Sequence, residues 1–388
     1  MPIINSSQTD PNKILPMTYP WAWKYYKNGV ANNWTPEEIS MQLDVEQWKA
    51  KDFLSPQERK LILWNLGFFS TAESLTANNL ALIYINVTNP ECRAYLGRQL
   101  FEEVIHTDTF VYCCDSLGLN PDEIYNMYQT IPSIEEKDAF VVELTKSILD
   151  PQFRVNNELP TLEKLEKEIK ELEKEIEKNP NKEKRDELDK KKKNKEKVLL
   201  RHEHNVKLFL HNLIGYYVIM EGIFFYAGFA MMLALKQKNK MVGIGQQFEY
   251  IMRDESLHLA FGCDLINTIK KENPQIWTEE FQKEIIELIK KAVELEKQYA
   301  LDACPEGIAG INAQEFCEYV KYIADRRLER IGLPKIYLTP HPQSLAWMSQ
   351  ATDLNKEKNF FETRVTEYQS GSSLNWDDED EVNLQEKK

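Results

Sequence analysis

Two stretches of this chain repeat one arrangement of chemistry-bearing side chains. Glu103 and His106 stand three residues apart in Phe101-Glu102-Glu103-Val104-Ile105-His106, and Glu255-Ser256-Leu257-His258 repeats the spacing. On an α-helix that offset sets both side chains on one face, near enough to share a metal ion. Each pair has a lone glutamate upstream in apolar sequence: Glu73, thirty residues before Glu103, and Glu221, thirty-four before Glu255. A glutamate from each of two helices, with Glu-x-x-His from each of two more, is the donor set of a dinuclear carboxylate centre inside a helical bundle. Only two of the six histidines stand in such a motif, and both copies lie among apolar residues. That separates them from a chance Glu-x-x-His on a solvated face. Four carboxylates and two imidazoles form a hard site that suits iron or manganese better than zinc. Their four negative charges are just balanced by two divalent ions, and bridging carboxylates would leave open positions for dioxygen. A ferroxidase store would use the same ligands, so the donor set alone does not choose between the two.

Helices must carry these residues. One is expected from Ser55-Pro56 to about Asn86, with Leu61, Trp64, Phe68, Phe69, Ala72, Leu75, Leu80 and Ile83 making most of its surface apolar. Glu73 falls inside it, where a bare carboxylate is costly unless it meets a cation. Asn89-Pro90 opens the helix of Glu103 and His106, which should end near Gly118. Asn120-Pro121 starts a shorter one, and Ser133-x-x-Glu136 reads as the capping box of the next, which must stop before Pro151. From Asn205 a helix apolar nearly all round, including Leu213, Val218, Phe224 and Phe229, holds Glu221 at its middle and should be central. Gly243 and Gly245 precede the helix of Tyr250, Asp254, Glu255 and His258, expected to reach Glu272. Two more helices follow, near 279–302 and 313–331. At the start of the sequence, Trp21, Trp23, Tyr25, Tyr26 and Trp34 make an aromatic arm. Thr35-Pro36-Glu37-Glu38 should pin Trp34 at a helix entrance.

Residues 155–200 differ in kind. Leu162, Leu165, Ile169, Leu172 and Ile176 step by three and four along a seam flanked by Glu and Lys. Pairs such as Glu163–Lys167 and Glu166–Lys170 support the helix. After Asn179-Pro180-Asn181 a basic stretch follows from Lys182 to about Lys197. The reading is an antiparallel helical hairpin projecting from the body, with a disordered charged loop as the alternative.

The sequence as a whole carries a net charge of −14 with a pI near 5.1, which argues against a nucleic-acid surface. Six cysteines without a CxxC pair read as buried free thiols in a reducing compartment. The N-terminus lacks a signal pattern, and no run of eighteen apolar residues points to a membrane span. The expectation is a cytoplasmic, all-α, ferritin-like bundle with extra helices and the projecting hairpin. Its divisions are an N-terminal arm at 1–34, a dimetal core at 35–345 with the insertion at 155–200, and a flexible tail at 346–388.

Four pieces of sequence resemble the small, radical-generating subunit of class I ribonucleotide reductase. They are Phe69-Ser70-Thr71-Ala72-Glu73-Ser74-Leu75, Phe101-Glu102-Glu103-Val104-Ile105-His106, Met220-Glu221-Gly222-Ile223-Phe224-Phe225-Tyr226 and Arg253-Asp254-Glu255-Ser256-Leu257-His258. The likeness continues through Asn359-Phe360-Phe361-Glu362-Thr363-Arg364-Val365 and excludes the hairpin. It implies an enzyme subunit, paired as a homodimer, that makes an oxidant with O₂. The oxidising equivalent would pass to a cysteine of a separate catalytic large subunit for deoxyribonucleotide synthesis. The resemblance also implies Glu73, Glu103, His106, Glu221, Glu255 and His258 as metal ligands, and Trp34, Asp254 and Tyr368 as the electron-transfer route. Asp254 has a local role as well, since a carboxylate bonded to a ligand histidine fixes its tautomer. Most members carry a radical tyrosine where this sequence has Phe110, and many have aspartate where it has Glu73. Those two departures resemble the chlamydial subgroup, whose cofactor is one manganese and one iron, with di-iron as the alternative here. In that subgroup Tyr250 would supply electrons during activation. A manganese–iron ligand-binding oxidase and a ferritin-like metal store are the competing readings.

Overall fold

The computed structural model describes residues 1–6, 13–150 and 152–349, and among them the polypeptide is built from helices with no strand. The first is α1 (Pro20–Ala31), followed by a short 3₁₀ turn at Pro36–Glu38 and α2 (Gln42–Lys49). Two long antiparallel neighbours come next, α3 (Pro56–Asn86) and α4 (Pro90–Leu117). Sequence chemistry sets their ends. Ser55 accepts the Glu58 N–H at 3.2 Å while Glu58 answers the Ser55 N–H at 2.8 Å, and Pro56 occupies the first helical position. Asn89 caps α4 through the Cys92 N–H, and Gly118 closes it at φ 65°, a left-handed conformation that a side chain would strain.

Short helices α5 (Pro121–Tyr125) and α6 (Met127–Thr130) lead to α7 (Pro132–Thr145). The expected capping box at Ser133 does not form. Pro132 already takes the first helical position behind Ile131, so Ser133 lies inside the helix, buried.

The hairpin consists of α8 (Leu159–Lys178) packed on the start of α9 (Lys182–Leu213). Leu162 and Leu165 meet Val198 in a small apolar cluster of their own. Charge is paired across the two arms: Glu166 with Lys195 at 2.8 Å, Glu168 with Lys191 at 2.7 Å, Glu173 with Lys192 at 2.8 Å and Glu175 with Lys184 at 2.9 Å. The second arm does not stop near Lys197. No Gly or Pro interrupts the sequence before Gly215, so the basic arm runs unbroken into the core helix.

That core helix changes pitch at Ile214–Phe224, which is a π-helical segment, and returns to α-helix in α10 (Tyr226–Gln237). The continuous helical stretch Lys182–Gln237 is long and apolar enough to cross a membrane, with an 18-residue window of mean hydropathy 1.9. This departs from the expectation of no such run. Its apolar window is wholly buried in the bundle, so that surface is already covered by neighbouring helices.

Next comes α11 (Val242–Glu272), which includes Gly243 and Gly245 in its first turn. Asp44 on α2 accepts the N–H groups of Gly243 at 2.9 Å and Ile244 at 2.7 Å, anchoring this helix start. Finally α12 (Glu279–Ala303) and α13 (Ala313–Arg330) pack on each other and on the π segment. All six cysteines are buried and free.

Polar groups are also buried around the π segment, where helix carbonyls lose their usual partners. Lys137 of α7 donates to the Phe224 carbonyl at 3.0 Å and pairs with Glu296 of α12 at 2.6 Å. Its ammonium also lies 3.6 Å from the Phe68 ring centre and 4.1 Å from that of Tyr299. Glu296 accepts the Ala227 N–H at 3.1 Å, and Arg327 of α13 donates to the Gly222 carbonyl at 2.9 Å. One cation therefore holds the carbonyl beside Glu221 and another holds the end of the segment.

Candidate metal centre

The six expected ligands come from four helical stretches: Glu73 from α3, Glu103 and His106 from α4, Glu221 from the π segment, Glu255 and His258 from α11. All six are completely buried. Donor atoms of Glu73, Glu103, His106 and Glu255 lie within 4.8 Å of one another, and so do those of Glu103, Glu221 and His258. Two carboxylates reach both halves. Glu103 places one oxygen 3.6 Å from Nδ1 of His106 and the other 3.2 Å from Nδ1 of His258. Glu255 does the same at 3.2 Å and 3.4 Å. Glu73 and Glu221 each serve one half.

Most of the polar atoms facing this space have no other partner. Both oxygens of Glu73 and of Glu255, one of Glu103, one of Glu221 and Nδ1 of each histidine are buried without a hydrogen bond. Buried charge so arranged needs cations. Burial pushes the carboxyls of Glu73 and Glu221 well above the usual range. Burial opposes charge on the two imidazoles, but Glu73 beside His106 and Glu255 beside His258 outweigh it and hold both well above the ordinary value. Glu103 is also disfavoured by burial, yet His258 and His106 on either side bring it well below the carboxylate range. Metal ions compete with those protons for the same atoms. The donor set therefore fits two oxygen-loving transition-metal ions.

Outside the ligands the two halves mirror each other. Nε2 of His106 lies 3.4 Å from Asp254, and Nε2 of His258 lies 2.8 Å from Glu102. Each acid immediately precedes the ligand glutamate of the opposite helix, so α4 orients the histidine of α11 and α11 orients that of α4. Glu102 has no role in the sequence reading, although its signal was available as an acid before each Glu-x-x-His. Asp254 also accepts the Trp34 indole N–H at 2.7 Å and contacts Arg253, while Arg98 supports Glu102 at 2.9 Å. The Tyr250 ring stands edge-on to Trp34 with centres 5.2 Å apart.

Gln99 is a second unforeseen neighbour. Its amide donates toward Glu221 at 3.1 Å and Glu103 at 3.3 Å, and its oxygen accepts from the Tyr217 hydroxyl at 3.0 Å. Phe110 is fully buried, stacked on Phe69 and edge-on to Phe248. Tyr368 and the tail from residue 350 onward lie outside the described residues.

Comparison with known proteins agrees with this geometry. The family model "Ribonucleotide reductase, small chain" matches residues 11–165 and 156–343. The ribonucleoside-diphosphate reductase subunit beta of Chlamydia pneumoniae is 49% identical over 375 residues, 96% of this chain and 94% of the relative. The small chain of the same enzyme from Nicotiana tabacum is 28% identical over 373 residues, 95% of this chain and 92% of that one. Among solved structures, the ribonucleotide reductase R2 subunit from Clostridium botulinum superimposes with a TM-score of 0.70 at 26% identity, covering 91% of this chain and 94% of that one. With the donor set, the helical bundle and these matches in agreement, the protein belongs to the ribonucleotide reductase small-chain family, as a ribonucleoside-diphosphate reductase subunit of the chlamydial type.

Proposed function

We propose that this subunit binds one manganese and one iron ion through Glu73, Glu103, His106, Glu221, Glu255 and His258, and delivers an oxidising equivalent through Asp254 and Trp34 to a catalytic large subunit. The observation that carries this reading is the set of buried, unpartnered oxygens and imidazole nitrogens converging on one space. Once bound there, the metal pair supplies the reduction of O₂ and the storage of one oxidising equivalent.

The protein side chains set the conditions for that chemistry. Glu103 and Glu255, whose carboxylates reach both histidines, would contribute to holding both ions. Asp254 and Glu102 hold the two imidazoles with Nδ1 turned inward. Asp254 joins the Trp34 indole to the His106 ring by hydrogen-bond contacts, a short path for an electron and its proton. Tyr250, beside Trp34, is placed to feed that path during activation. Phe110 has no phenolic proton to lose, which favours keeping the equivalent on the metals. Tyr368 would continue the route toward the catalytic subunit. A ligand-binding oxidase or a metal store would share the ligands, but the family match sets both aside.

The subunit also fits a homodimer. Phe101, Val104 and Val111 stand exposed on α4, at three- and seven-residue steps on one face. The yeast Rnr4 protein, similar in fold at a TM-score of 0.62 and 20% identity over 91% of this chain and 92% of that one, is a homodimer.

The test is to load metal-free protein with manganese and iron, expose it to O₂, record electron paramagnetic resonance spectra and assay nucleotide reduction with the catalytic subunit. Activity should need both metals, and no tyrosyl signal should scale with it. Full activity with iron alone, or a stable tyrosyl signal proportional to activity, would overturn the assignment.

A further inference from the structure

A second set of aromatic side chains runs from beside Glu103 toward the surface, through rings other than Trp34 and Tyr250. The Tyr216 hydroxyl lies 3.5 Å from Glu103, and its ring is 4.7 Å from that of Tyr217, whose hydroxyl is bonded to Gln99. Tyr217 is 6.3 Å from Phe261, which in turn meets Tyr95 at 4.3 Å, Tyr25 at 5.8 Å and Trp21 at 5.8 Å. Tyr95 also contacts Tyr25 directly at 5.6 Å. Trp21 then adjoins Tyr25 at 6.2 Å and Tyr19 at 5.9 Å. The inner rings are fully buried, whereas Trp21, Tyr25 and Tyr19 are half-buried at the surface.

Two features distinguish this array from ordinary packing. The outer tyrosines each donate to a carboxylate: Tyr25 to Asp264 at 2.8 Å, and Tyr19 to Glu272. A phenol can lose an electron readily only if its proton has somewhere to go, and the base stands ready in both cases. The inner Tyr95 hydroxyl, by contrast, is buried without a partner. In addition, the array ends at an open surface cavity of about 830 Å³, with Trp21 and Trp277 in its wall and three cations, Lys270, Lys271 and Arg330, against two acids, Asp264 and Glu329. With Asp264 engaged by the Tyr25 hydroxyl, the cations outnumber the acids in this wall, which suits a small anion against the overall negative charge of the protein.

We infer that the Tyr216–Tyr217–Tyr95–Tyr25–Trp21 array is a second electron route, which lets a small anionic reductant at the Trp21 cavity quench the oxidised centre when no catalytic subunit is engaged. This rests on the oxidising centre proposed above. In the transfer step an electron leaves the Tyr25 ring for the centre and the phenolic proton crosses to Asp264. Ascorbate at the cavity then returns one electron to Tyr25, the proton comes back from Asp264, and ascorbate releases its own proton to solvent. The net result is a centre reduced by one electron and one ascorbyl radical.

The test uses full-length, metal-loaded protein without the catalytic subunit. After activation with O₂, the decay of the oxidised centre is followed with and without ascorbate in wild type, Tyr25→Phe, Trp21→Phe and Trp34→Phe. After repeated activation without reductant, oxygen adducts are mapped by peptide mass spectrometry. Tyr25→Phe and Trp21→Phe should each slow the ascorbate-dependent decay several-fold, while nucleotide reduction with the catalytic subunit stays at the wild-type rate. Adducts should concentrate at Trp21 in wild type and move inward to Tyr95 in Tyr25→Phe. Decay unchanged in both outer variants, or slowed by Trp34→Phe alone, would overturn the second route while leaving the oxidising centre intact. Failure of the wild type to form any oxidised centre would instead overturn the function on which it rests.

Discussion

Two acids outside the proposed ligand set hold its histidines from the opposite helix. Glu102 bonds His258 across the bundle as Asp254 bonds His106. Glu102→Gln should leave the helical content unchanged and weaken metal affinity by about 10–100-fold, read by metal titration. An unchanged titration would make Glu102 a packing residue only. Asp138, on α7 next to Lys137, behaves differently. Burial pushes its carboxyl up to about 7, with one oxygen unpartnered. A raised folded pKa means the native state binds more protons than the unfolded polypeptide between about pH 4 and pH 7, so stability from this group falls as pH rises through that window. Asp138→Asn should therefore raise the thermal midpoint at pH 8 and change it little at pH 4. Midpoints measured at both values check the sign. The pairs Glu103–His106 and Glu255–His258 could be read from spacing because helical geometry turns a three-residue step into one face, whereas Glu73 and Glu221 stood out as lone acids in apolar helices. Glu102 is less legible, although it holds the same place before its Glu-x-x-His as Asp254, since its partner lies 156 residues away and a surface arginine pair with Arg98 explains it equally well from sequence.

At the scale of elements, the long helices were legible because their ends carry capping chemistry at Ser55-Pro56, Asn89-Pro90 and Gly118. The π segment was not. Ile214–Phe224 is apolar on every side, so hydropathy carries no phase from which a change of pitch could be read. The join between α8–α9 and the core was misread for a related reason: charge composition changes near residue 200, but backbone propensity does not. What holds the π segment is the buried Lys137–Glu296 pair together with Arg327, residues on three separate helices. Lys137→Met leaves Glu296 buried without its cation and should cost about 3–5 kcal/mol in urea denaturation. The double change Lys137→Met with Glu296→Gln should recover much of that loss, because the uncompensated charge is gone. Equal loss in single and double variants would show that the cation acts through packing against Phe68 and Tyr299 alone.

Across the whole molecule, the exposed face of α4 with Phe101, Val104 and Val111, interrupted by Asp108, is the surface proposed for a two-fold partner. On that proposal the wild type should sediment as a dimer, and Val104→Arg, which sets like charges face to face across a symmetric interface, should sediment as a monomer. A dimer that survives would move the interface elsewhere. The buried cysteines bear on a different property. Burial raises the pKa of all six thiols, to about 11 for Cys114 and Cys263 and about 12 for Cys304. Thiolate is the form that alkylates and that gives up an electron readily, so each sulfur is held in its least reactive state. Native protein should accordingly resist iodoacetamide at neutral pH and label at all six positions only after unfolding. The sulfurs of this subunit thus offer the proposed oxidant no thiolate to consume, which leaves a cysteine of another subunit open as its target.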